Sequence, residues 1–63
     1  MYIQVIRHEW SDDGNTTLVY FNVMTKRPTD EKFVKGGEFM LFVKAEEINK
    51  YPGGKKFVLQ DDA

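Results

Sequence analysis

The sequence predicts a mainly β protein: a small antiparallel sheet or open barrel of four to five strands, with one or two short helical turns, in a single domain spanning residues 1–63. Three observations carry that prediction. Two runs rich in β-branched and aromatic residues, Tyr2 to Trp10 and Thr16 to Met24, flank an Asp-Gly turn. A third run, Glu38 to Lys44, is apolar without a break from Phe39 to Val43. Gly and Pro punctuate the rest of the chain, leaving room only for short helical turns.

The first element is a hairpin. Ser11-Asp12-Asp13-Gly14-Asn15 supplies residues that tolerate the positive φ of a tight turn. With Asp13-Gly14 as the loop, plain pairing sets His8 opposite Val19 and Ile6 opposite Phe21. One face then carries Val23 and Trp10 beside these pairs. The reverse carries Ile3, Val5, Leu18, Tyr20 and Met24, interrupted by Arg7, Glu9 and Asn22.

Residues 25–37 offer two readings. In the favoured one they form an irregular loop or a helical turn, with Thr29 as cap, Asp30 and Glu31 in its first turn, and Gly36 as terminator. In the other, Lys32 to Lys35 is a short strand and Gly36-Gly37 turns the chain into the next. Glu38 to Lys44 is too uniformly apolar for a strand with one wet face, so coverage on both sides is expected. Ala45 to Lys50 then reads as a short helix, ended by Tyr51-Pro52-Gly53-Gly54. Lys55 to Gln60 reads as a last strand, and Asp61 to Ala63 as a frayed end. Phe-Val-Lys at residues 33–35 and 42–44 has no fixed period, so strand composition explains it better than duplication.

A chain of 63 residues has a thin margin between apolar burial and chain entropy. It has no Cys and one His, so neither a disulfide nor a zinc site of the usual Cys/His type can be built within it. Oligomerisation or partner binding is the remaining staple. Nine Lys plus Arg against ten Asp plus Glu give a net charge of -1, which lacks the field that gathers phosphate backbones. No run is long enough to span a bilayer and no basic leader is visible. The expected location is therefore cytoplasmic, with no membrane association. An initiator Met without any Cys suits a complete intracellular reading frame.

Catalytic chemistry finds little to work with. His8 and Ser11 lie three apart, hence on opposite sides of a strand, and a hairpin histidine beside a polar turn explains both. Asp12-Asp13-Gly14-Asn15 lacks the alternating ligands and closing Glu of a calcium loop. Gly53-Gly54-Lys55-Lys56 has amides and ammonium groups but no Walker order, so Lys55 and Lys56 are at most an anion-binding pair. They also suit an edge strand guarded by lysines. No catalytic residue, metal site or cofactor is expected.

What stands out is surplus apolar surface. Tyr20, Met24, Met40 and Phe42 lie on strands that read as apolar on both faces, and little helix is available to cover the second. Barrel closure would absorb that surface, and self-association would hide it. The expected function is a non-enzymatic protein-binding module that self-associates, a dimer first of all. A small phage or mobile-element accessory protein inhibiting or modulating a larger host protein would fit. Trp10, Asp12, Asp13, Tyr20, Met24, Met40 and Phe42 are the expected partner-binding residues. The alternative is a small barrel binding nucleic acid or a nucleotide, aromatics stacking on bases while Lys26, Arg27, Lys55 and Lys56 meet phosphates. Net acidity ranks it second.

Overall fold

The computed structural model describes residues 1–59. Four strands, β1 (Tyr2–Trp10), β2 (Thr16–Thr25), β3 (Val34–Lys44) and β4 (Lys56–Val58), form one antiparallel sheet in the order β3-β2-β1-β4. A single 3-10 helix, Ala45–Lys50, joins β3 to the loop that leads into β4. The sheet is open, so barrel closure does not absorb the apolar surplus. With a radius of gyration of 13.6 Å, the chain is more extended than a compact one of its length, for which about 11 Å is expected.

The hairpin forms where the turn residues placed it, but its loop is longer than Asp13-Gly14: β1 ends at Trp10, β2 begins at Thr16, and Gly14 alone in the turn takes the positive φ that a two-residue loop needs at both positions. Ser11 donates its amide to Thr16 and accepts the amide of Gly14, whose φ of 72° needs no side chain. Asp13 ties the tip together: its Oδ1 accepts the Ser11 hydroxyl at 2.6 Å and the Asn15 amide at 2.9 Å. Those two donors hold the Asp13 carboxyl below the usual carboxylate range, the hydroxyl first. His8 pairs with Val19, as plain counting from the turn predicts.

Beyond His8 the counting fails. A β-bulge between Val5 and Arg7 leaves Ile6 without a partner, so Phe21 faces Val5 and not Ile6. Because strand faces alternate, one extra residue moves everything before it to the other side. Ile3 and Val5 therefore join Val19 and Phe21 on the inner face, and are not on the face of Leu18 and Tyr20 as regular pairing would have them.

That inner face holds the core. Val5, Val19, Phe21 and Val43 are buried with Thr17, while Ile3, Ile48, Tyr51 and Phe57 pack over them. Phe21 is its centre, stacked on Phe39 at 4.7 Å and met edge-on by Tyr51 at 6.0 Å. The 3-10 helix and the segment after it form the cover. His8 Nε2 lies 2.6 Å from the Tyr51 carbonyl, Gly54 donates its amide to Val5, and Val5 donates to Lys55. Gly54, at φ 85°, provides the turn that brings the chain back alongside β1.

Thr17 is wholly buried, and its hydroxyl has no hydrogen-bond partner. Replacing it with the isosteric Val removes that desolvated group and keeps the β-branched shape. Thr17→Val is expected to raise stability by about 1 kcal/mol. The urea midpoint measures this, and a lower midpoint would show that the hydroxyl is satisfied after all.

Other expectations meet the structure here. β3 is not covered on both sides: it is an edge strand, and Val34, Phe39, Met40, Leu41 and Phe42 are all exposed. It also begins at Val34, so Gly36 and Gly37 lie inside the strand and neither cap a helix nor turn the chain. Gly36 marks a second bulge, where an added Cβ would meet Thr25 Cγ2 at 2.8 Å. Residues 26–33 are an irregular loop, one of the two forms of the favoured reading, with a single hydrogen-bonded turn in which Asp30 donates its amide to the Arg27 carbonyl. Finally, β4 covers only Lys56–Val58, pairing with Tyr2 to Gln4, so Lys55 and Leu59 fall outside it, and the strand expected at Gln60 lies outside the described residues. The expected fray at Asp61 to Ala63 lies outside the described residues.

Candidate functional site

Register fixes what the outer face presents. Residues directly opposite one another share a face, so the outer rows run Glu9, Leu18, Phe42 and then Arg7, Tyr20, Met40. Next come Gln4, Asn22, Glu38, and then Tyr2, Met24, Lys35. The helix packs on the inner side only, so it leaves the first two of these rows uncovered, while Phe33 from the loop before β3 packs against Tyr2 in the last.

The first two rows form an apolar patch. Phe42 is 76% exposed and Met40 58% exposed, beside half-buried Leu18 and Tyr20. A polar frame borders it. The Arg7 guanidinium lies 3.8 Å from the centre of the Tyr20 ring, and the Tyr20 hydroxyl donates to Glu9 Oε2 at 2.5 Å. The hydrogen bond to Glu9, which favours the neutral phenol, pushes the Tyr20 hydroxyl above its usual range. Arg7 and Glu9 thereby hold the ring in one orientation, a preorganised contact residue in place of a floppy one.

At the other end the outer face turns basic and aromatic. Tyr2 meets Phe33 edge-on at 4.9 Å, Lys56 Nζ lies 5.1 Å from the Tyr2 ring and Lys26 Nζ lies 5.4 Å from that of Phe33. Lys35 bonds Glu38 at 2.7 Å, which holds the Glu38 carboxyl below the usual range.

The expected partner-binding residues therefore do not form one site. Tyr20, Met40 and Phe42 come together on the outer face. Met24 shares that face but is separated from them by the Asn22–Glu38 row and sits near the basic end. Trp10 pairs with Thr17 in the row of buried Val43, so it belongs to the inner face, where it remains 51% exposed. Asp12 and Asp13 occupy the exposed hairpin tip. Lys55 reaches over Phe57 at 5.0 Å, and its amide is engaged by Pro52 as that of Gly54 is by Val5. The glycine turn thus commits the Gly54 and Lys55 amides to the chain itself, and both ammonium groups lie over aromatic rings.

Leu18 and Arg7 belong to the patch although neither was singled out from sequence. Both follow from the hairpin register, since each lies directly opposite or beside Tyr20 on that face. The exposure of the edge residues Phe39 and Leu41 is not legible in the sequence for a different reason: an unbroken apolar run predicts coverage on both sides. Ser11 serves the turn, donating to Asp13 and accepting the Thr16 amide at 3.2 Å, and makes no contact with His8. Among the described residues no group of His, Asp and Glu is placed to hold a metal ion, and no helix is long and apolar enough to cross a membrane. A shallow depression by the hairpin tip is lined by Asn15, Thr16, Lys44, Ala45 and Glu46. No family model, no curated protein and no solved structure matches the chain.

Proposed function

We propose that this chain is a non-enzymatic protein-binding module that associates with itself and modulates a larger protein by covering part of its surface. The observation that carries the reading is the uncovered patch of Leu18, Tyr20, Met40 and Phe42, with Arg7 and Glu9 as its frame. Aromatic and Met side chains with an Arg at the rim are the composition of interface centres, and a ring already held in place loses little entropy on docking. A test compares the parent chain with a Met40→Lys, Phe42→Lys double variant. Both side chains point away from the core, so the circular dichroism spectrum is expected to be unchanged. The parent is expected to sediment above its monomer mass and to retain a stoichiometric protein partner, and the variant to lose the partner. A parent chain that is monomeric and retains no partner defeats the reading.

A second reading draws on the basic end. Tyr2 and Phe33 with Lys26 and Lys56 offer ring faces beside ammonium groups, the materials of single-strand recognition. Arg27, by contrast, is paired with Asp30. Oligonucleotide retention that falls steeply with salt would favour this reading over the first.

A further inference from the structure

We infer that the free edge of β3 pairs antiparallel with β3 of a second copy, in the register that places Leu41 on the twofold axis and sets Glu38 opposite Lys44 of the other copy. The inference rests on the self-association reading above and names its geometry.

The backbone is prepared for such a pairing. Ala45 donates its amide to the Asn15 carbonyl, so its polar groups turn inward toward the hairpin. The β2–β3 register is unbroken from Val23–Gly37 to Thr16–Lys44. Alternation then turns the groups of Val43, Leu41 and Phe39 toward β2. Those of Lys44, Phe42, Met40 and Glu38 point to the open edge. Exposed edges of this length, with apolar side chains on both faces, are templates for another strand. The edges of folded proteins are commonly guarded by inward-pointing charge or Pro, and residues 38–44 contain neither a Pro nor a charge between their ends.

Symmetry and charge select the register. A twofold axis perpendicular to the sheet keeps each face on its own side, so every residue must pair with one of the same parity. With Leu41 on the axis, Glu38 meets Lys44, Met40 meets Phe42 and Phe39 meets Val43, each twice. Moving the axis to Met40 sets Glu38 against Phe42, and moving it to Phe42 sets Glu38 against Glu46. Of these three only the Leu41 register pairs opposite charges directly and apolar side chains with each other. The pairs that exchange backbone hydrogen bonds are Glu38–Lys44 and Met40–Phe42, whose groups face the edge. Their side chains lie on the outer face, so the two apolar patches merge across the axis. The Gly36 bulge at one end and the 3-10 helix at the other limit the pairing to residues 38–44.

The test uses the whole chain, which has no Cys of its own. Leu41 would face its own copy in a non-hydrogen-bonded pair, with Cα atoms about 4.5 Å apart, inside the range a disulfide spans. Mild oxidation of Leu41→Cys is expected to give a covalent dimer, and Met40→Cys, out of register with itself, is expected to give none. Glu38→Lys and Lys44→Glu are each expected to weaken the dimer about tenfold or more in sedimentation equilibrium, since each places like charges opposite one another twice. The double exchange is expected to restore most of the affinity. A parent chain that stays monomeric defeats both this geometry and the self-association reading. A dimer in which Met40→Cys cross-links, or in which Leu41→Cys does not and the charge exchange has no effect, defeats only the geometry. Assemblies that grow beyond the dimer also overturn it, because an isologous pairing closes on itself.

Discussion

Phe21→Ala is expected to remove half or more of the folding stability at room temperature. Phe21 is 1% exposed and touches Phe39, Tyr51 and Phe57, so it links an edge strand, the covering segment and β4 through one ring. Removing a buried Phe costs about 3–5 kcal/mol. A chain of this length has about 3–9 kcal/mol in total, at roughly 0.05–0.15 kcal/mol per residue. Among the described residues the other buried apolar side chains are three valines, Val5, Val19 and Val43, which cannot close the gap a ring leaves. The midpoint of the urea transition followed by far-ultraviolet circular dichroism should fall to half its parent value or below. A midpoint near that of the parent would mean that the sheet is held by something other than this cluster.

Tyr51→Ala should have the next largest effect, a loss of about 2 kcal/mol. Tyr51 is half-buried, so about half the cost of a fully buried aromatic is expected. Its ring lies 6.0 Å from that of Phe21 and 5.9 Å from that of Phe57, closing the inner face. The loss has a location as well as a size. Hydrogen exchange should quicken at the Val5 and Gly54 amides, which bond across β1 and the covering loop, before it quickens in the β2–β3 ladder. Uniform acceleration across all three long strands would show that the cover and the sheet open as one unit.

The parts of this fold that are legible in the sequence are local. Ser11, Asp13 and Gly14 announce a turn because their own side chains and backbone freedom make it, and the pairing next to it follows. The bulge at Ile6 is silent, since it sits in a continuous β-type run without the glycine that often marks one. Gly36 misleads in the opposite way: two adjacent glycines suggest a turn, but the first is required by the close approach of Thr25 within a strand. Strand order is not local at all. An unbroken run from Phe39 to Val43 suggests a central strand covered on both sides, whereas it lies at an edge. The patch was legible to the same degree. That Tyr20, Met40 and Phe42 share a face comes from the β2–β3 register, which an apolar excess on both faces does not decide, while Trp10 falls on the face opposite Tyr20, as plain pairing from the turn already had it.

The bulge also sets how much change in length β1 tolerates. Val5, Arg7 and His8 face Phe21, Tyr20 and Val19, which are consecutive on β2. Ile6 is therefore supernumerary: without it the same residues would meet the same partners in plain alternation, with Val5 and His8 still inward and Arg7 still over Tyr20. At this one position the division between inside and outside has a slack of one residue. Elsewhere between β1 and β2, a gain or loss of one residue would turn the core outward. Among descendants of this chain, length variation in β1 should collect at residue 6.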